Sequence, residues 1–131
     1  MDINQIQEKT RLIFESYPSV KLVYVFGSSA TGTRGSMSDY DFGVYIDSRD
    51  SRQSHEIKFD LLDKIGRALA TNAIDIVLLN MVKAPEIKYE IIKEGVIIFE
   101  RDDYRVLIEP AVLNEYFDFR QILRRHNLTK A

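Results

Sequence analysis

Apolar residues Ile3, Ile6, Ile13, Phe14 and Tyr17 recur at helical spacing and predict one buried face of a first helix. Asp2 stands at its N-cap position, with Gln5 three residues on as a capping-box partner, and Pro18 stops the helix. Lys21 to Phe26 is β-branched and aromatic, the pattern of a strand. Ser28 to Met37 is rich in Gly, Ser and Thr. It predicts a short helix started at the Gly27-Ser28 turn, then a loop through Gly32 and Gly35. Asp39 to Ile46 reads as a second strand, and the polar run Ser48 to Gln53 as a mobile loop. Ser54 to Ala70 is an amphipathic helix, with Ile57, Leu61, Ile65 and Leu69 in steps of four, and Asn72 suits a left-handed cap behind it.

Ala73 to Leu79 reads as a third strand, apolar on both faces except at Asp75. Pro85 sits near the first turn of a helix ending at Gly95, and Val96 to Phe99 is a short fourth strand. From Asp102 to about His126 the pattern is helical, with Pro110 interrupting or restarting it. Leu113, Tyr116, Phe117, Phe119, Ile122 and Leu123 crowd a broad apolar face there. The order α-β-β-α-β-α-β-α predicts a mixed α/β (α+β) fold, one small mixed sheet with helices packed on it.

The 131 residues suit one compact domain over 1–131, with a C-terminal helical tail from about 102 to 131. With 45% hydrophobic and 29% charged residues, the chain can build a sizeable core. A net charge of -2 argues against a dedicated nucleic-acid binder, so no direct nucleic-acid binding is expected. Cysteine is absent, which excludes disulfides and thiolate metal sites and fits a reducing cytosol. No apolar run approaches about 18 residues, so no membrane span is expected. Met1-Asp2-Ile3-Asn4 lacks the basic and apolar regions of a signal peptide, and a cytoplasmic location is the expectation.

The candidate chemistry lies between Val23 and Asp47. A strand ending in Gly27-Ser28 can present backbone N–H groups and a hydroxyl to phosphate oxygens. A strand beginning Asp39-Tyr40-Asp41 puts two carboxylates on one face, because side chains alternate with period 2. They stand about 6.5 Å apart along the strand, close enough to converge on a divalent cation. Asp75 is a third acid in an otherwise apolar strand, where an ionised carboxylate is costly without a partner. A metal held by Asp39 and Asp41 would be that partner if the two strands lie side by side. Phosphate cradle and hard-metal cradle together are the equipment of phosphoryl or nucleotidyl transfer.

Gly27-Ser28, ten intervening residues, Asp39-Tyr40-Asp41 and a later apolar-Asp-apolar strand resemble the nucleotidyltransferase superfamily related to DNA polymerase β. The length and the final aromatic helix Glu115-Tyr116-Phe117-Asp118-Phe119 resemble its smallest branch, the minimal nucleotidyltransferases. The resemblance implies a polymerase-β-like fold and an antitoxin. Its partner would be a HEPN-domain toxin, onto a tyrosine of which it transfers AMP from ATP, blocking the ribonuclease site.

On that reading Asp39 and Asp41 hold two Mg²⁺ ions, and Asp75 helps hold one of them and takes the proton of the attacking hydroxyl. Gly27 and Ser28 bind the outgoing pyrophosphate, with Arg34 a further phosphate contact. Members often carry arginines in the loop after Gly-Ser. Here those positions are Ser29 and Thr31, and Arg34 is the cation left in the loop. The alternatives are a nucleotidyltransferase acting on a small molecule or an RNA, and a catalytically idle antitoxin acting by binding alone. The brevity of the chain leaves little for an acceptor-binding domain. The acceptor surface then comes from a docked macromolecule or from a second copy, a possible homo-oligomer.

Several conspicuous residues have plainer readings. Asp47 shares the parity of Asp39 and Asp41 but reads as a solvated strand end. His55 and His126 read as surface residues, and Tyr40 and Phe42, opposite the acids, as core. The tail aromatics read as core first and partner interface second.

Overall fold

A computed structural model describes residues 1–27 and 40–126. The elements are α1 (Ile3–Glu15), β1 (Val20–Phe26), β2 (Tyr40–Ile46), α2 (Ser51–Leu69), β3 (Ile74–Leu78), α3 (Pro85–Glu94), β4 (Val96–Glu100) and α4 (Tyr104–Arg125). Among the described residues the strands form one mixed sheet in the order β3-β2-β1-β4. β1 runs antiparallel to both β2 and β4, whereas β2 and β3 are parallel. The fold is the expected α+β plan.

Alternation along the strands divides the core in two. Val23, Val25, Phe42, Val44, Ile76 and Leu78 face α1 and α2, where Ile6, Phe14, Ile57, Leu61 and Ile65 cover them. Leu22, Tyr24 and Leu79 face the other way, against Ile91 of α3 and Ile108 of α4. Tyr40 and Phe42 are buried in the first layer, as their parity predicts. On the second face Gly43 lets α3 lie directly on β2: a Cβ there would stand 2.8 Å from Cγ2 of Ile91. Among the described residues no helix is long and apolar enough to cross a membrane.

Local signals explain most boundaries. Asp2 accepts from Gln5 N at 2.9 Å while Gln5 Oε1 accepts from Asp2 N at 3.0 Å, the reciprocal pair the sequence predicts. α2 starts earlier than expected, because the Asp50 side chain accepts from Arg52 N at 3.0 Å and caps it. Half of the expected polar loop is thus a first helical turn. The left-handed cap falls on Ala70, with φ 54 and ψ 46, rather than on Asn72. Thr71 N donates to Gly66 O at 3.0 Å to close that turn, and a Cβ on Gly66 would crowd the Thr71 carbonyl at 3.1 Å.

α4 is continuous through Pro110. The proline removes one backbone donor, but it lies two turns into the helix on an exposed flank, where water can satisfy the carbonyl left behind. The apolar tail face is also less buried than expected. The buried residue of α4 is Val112, outside that face, while Phe117 and Ile122 within it are more than half exposed. α4 is tied down by its first half and middle. The Tyr24 hydroxyl donates to Glu109 Oε2 at 2.6 Å, Lys88 pairs with Glu115 at 2.8 Å, and Tyr89 stacks on Tyr116 at 3.9 Å. Burial first, then the Glu109 carboxylate, pushes the Tyr24 hydroxyl far above the ordinary phenol range, so it stays a donor.

Arg101 closes the end of the sheet opposite the candidate site. Its guanidinium donates to the carbonyls of Val20 at 3.1 Å, Phe14 at 3.3 Å and Glu15 at 3.2 Å, and its plane lies over the Phe99 ring. It thereby satisfies carbonyls left open at the end of α1. Arg101→Ala is expected to lower stability by about 2 kcal/mol, the scale of hydrogen bonds to a charged group. Arg101→Lys should recover less than half, because an ammonium cannot reproduce the fork. Urea unfolding midpoints of the three proteins check this.

Candidate active site

β1 delivers the chain to Gly27, whose φ is +74, a conformation that favours glycine. The neighbouring strand brings Asp41 opposite Phe26, so the Asp41 side chain leans over the turn. A Cβ added at Gly27 would stand 2.6 Å from Oδ2 of Asp41. Glycine is therefore required twice, by its dihedral and by the carboxylate above it.

The next strand supplies the second acid. In the parallel register of β2 and β3, Asp41 pairs with Asp75. Paired residues of parallel strands point to the same face and lie about 4.8 Å apart, so the two carboxylates can share one cation. The register is held at this end of the sheet by Tyr40 N donating to Ala73 O at 2.6 Å. A slip of one residue would turn Asp75 onto the α1/α2 face, beside Phe42 and Val44, and would turn Ile76 and Leu78 off it. Asp41 is half-buried and Asp75 exposed, so the pair has one anchored and one solvent-facing member.

The structure thus brings together Gly27, Asp41 and Asp75 of the predicted site. Ser28, Arg34 and Asp39 lie outside the described residues, as do Ser29, Thr31, Gly32 and Gly35. Among the described residues no group of three His, Cys, Asp or Glu side chains forms a metal site. The described part of the site is a pair of hard oxygen donors beside a bare turn.

Two features are not legible in the sequence. One is the space that Gly27 leaves for Asp41. The other is a groove beside Asp75, bordered by His55 and Lys58 of α2 and by Met81 and Val82. The three-residue step from His55 to Lys58 puts both on one flank of α2, a signal too common to single out. His55 is exposed, as predicted, and its Nδ1 lies 2.7 Å from Ser51 O. Asp47 is the exposed strand end expected of it, and accepts a hydrogen bond from the Tyr104 hydroxyl at 2.9 Å.

Solved structures share this fold. A toxin–antitoxin crystal structure with AMP-PNP has a TM-score of 0.73 at 21% identity, over 95% of this chain and 94% of that chain. The tri-AMPylated Shewanella oneidensis HEPN toxin in complex with MNT antitoxin gives 0.70 at 17% identity, over 95% and 94%. A crystal structure of the toxin–antitoxin MntA-HepT gives 0.68 at 16% identity, over 93% and 92%. No curated protein matches the chain significantly. The family described as "Polymerase beta, Nucleotidyltransferase" matches residues 8–104. That span takes in the Gly27 turn and both paired acids, and the chain belongs to the polymerase beta nucleotidyltransferase family.

Proposed function

We propose that this chain is an antitoxin that transfers AMP from ATP onto a tyrosine of a partner HEPN-domain toxin. The observation that carries the reading is the pairing of Asp41 with Asp75 beside the Gly27 turn, inside a nucleotidyltransferase fold. Related support comes from structures of the same fold that contain AMP-PNP or an AMPylated HEPN toxin.

The donor set fits Mg²⁺: carboxylate oxygens on one sheet face, at strand spacing, with no sulfur or packed side chain needed. Asp39, Asp41 and Asp75 would hold the ions. Bound there, Mg²⁺ supplies charge neutralisation at the α-phosphate and its leaving oxygen. The chain's own groups do the rest. Asp75, exposed on the edge strand, takes the proton from the attacking tyrosine hydroxyl. The phenolic oxygen bonds to the α-phosphorus as the bridge to the β-phosphate breaks, and pyrophosphate leaves. The N–H groups at Gly27-Ser28 and the Ser28 hydroxyl receive it, with Arg34 as a further phosphate contact. Residues 1–131 act as one catalytic domain, with the helix from about residue 102 as its tail.

The test is incubation with labelled ATP, Mg²⁺ and the HEPN-domain protein encoded beside it. Label on a tyrosine of that protein is expected. A complex without label would favour the idle antitoxin, and label on small molecules or RNA alone would favour the other transferase reading.

A further inference from the structure

We propose that α4 pairs antiparallel with α4 of a second copy of this chain, across a two-fold axis beside Leu113 and Asn114. The inference is independent of the reaction assigned above. Val106, Pro110, Leu113, Phe117, Gln121 and Arg124 follow one another at steps of three or four and form one stripe along the helix. Its first four residues are apolar, and Val106, Pro110 and Phe117 among them lie in solvent. Val106 is 70% exposed and Phe117 55%, with Leu107 beside them at 63%. Single exposed apolar residues are ordinary, whereas a contiguous set on one helix flank marks a surface that meets another.

The charges along the stripe choose the occupant. Its first half is a shallow depression whose rim includes Glu100 and Asp103. Arg105 and Glu109, also on that rim, pair with each other at 3.2 Å. The second half is a depression lined by Phe117, Arg120 and Arg124, with no acid among the described residues that line it. One end is acidic and the other basic, so a two-fold antiparallel partner brings unlike ends together twice. A parallel partner would set like against like, and a nucleic acid would meet the carboxylates. In the antiparallel register Leu113 meets its own copy near the axis. Pro110 faces Phe117, Val106 faces Gln121, and Asp103 faces Arg124. Phe117 is already positioned for this, because its ring packs edge-on against both Tyr116 and Tyr89.

The absence of native cysteine makes the register directly testable. Light scattering on the purified full chain should give twice the 15.2 kDa chain mass. Phe117→Asp and Arg124→Asp should each weaken association at least tenfold while leaving the circular dichroism unchanged. Under mild oxidation Leu113→Cys should form a covalent dimer, and Lys9→Cys on α1 should not. Val106→Cys alone should form no covalent dimer but should cross-link when mixed with Gln121→Cys. A chain that is monomeric at every concentration, with no cross-link at position 113, overturns the proposal. So does a dimer that survives Phe117→Asp, which would lie on another surface. A monomer that loses its toxin partner on Phe117→Asp also overturns it, since a different protein would then occupy α4.

Discussion

Asp41→Asn is expected to lower AMP transfer by about 10³-fold or more while leaving the fold in place. The substitution keeps the size of the side chain and removes its charge. Asp41 faces the candidate site and the α3/α4 side of the sheet, so neither neighbouring core residue, Tyr40 nor Phe42, is disturbed. On the proposed reading, what is lost is one ligand of a cation. Charge stabilisation by such a cation is worth several kcal/mol at the reacting phosphate, and a loss of about 4 kcal/mol corresponds to about 10³-fold in rate. Two readouts separate this from damage to the fold. The thermal midpoint without ligand should change by no more than a few degrees. The midpoint rise on adding Mg²⁺ with a non-hydrolysable ATP analogue should shrink, since a ligand stabilises only to the extent that it still binds. An Asp41→Asn protein that labels the acceptor at the wild-type rate would remove Asp41 from the chemistry.

Gly27→Ala should have the second largest effect, and it should act on both stability and rate. With φ at +74, alanine pays about 1–2 kcal/mol for the left-handed backbone alone. Its methyl group would also meet Oδ2 of Asp41 at 2.6 Å. The carboxylate is the far end of a flexible side chain, so it gives way before the sheet does. It is thereby moved off the turn where, on the proposed reading, a phosphate and a cation meet. A displacement of about 1 Å at a reacting centre can cost 10²-fold, and a loss of that size is expected per folded molecule. Arg101→Ala is the control: comparably destabilised at the far end of the sheet, it should keep its rate per folded molecule. If Gly27→Ala loses stability but no rate, the turn is a structural feature and nothing more.

The sequence exposes those parts of the fold that have a local cause. Asp2 and Gln5 announce a helix start because each satisfies the other's backbone donor within one turn. Ile57, Leu61, Ile65 and Leu69 announce a buried helix face because period and burial coincide. The start of α2 is less legible, because an exposed first turn is as polar as a loop and only the Asp50 contact tells them apart. The cap at Ala70 depends on Thr71 closing back onto Gly66, which no residue type at position 70 signals. α4 departs from expectation for a different reason. Its apolar residues fit a helical face, but the sheet has surface enough to cover only part of it, and Phe117 and Ile122 stay in solvent.

The site divides in the same way. The residue types at Gly27, Asp41 and Asp75 can be picked out from chemistry. Their meeting cannot, because it depends on a parallel register between strands distant in the chain, set by contacts such as Tyr40 to Ala73. The packing of α2 on β3 brings Lys58 and His55 to the border of the groove beside Asp75. Neither residue carries a motif of its own.

On the proposed reading a divalent cation and a nucleotide meet where β1 ends and β2 and β3 begin. Paramagnetic broadening by Mn²⁺ in the presence of AMP-PNP, read from backbone amide resonances, addresses it directly. The signals of Phe26, Gly27, Asp41 and Asp75 should vanish first, those of α1 and α4 should persist, and Asp41→Asn should abolish the effect. Broadening centred on any other part of the chain, or unchanged by Asp41→Asn, would contradict the account.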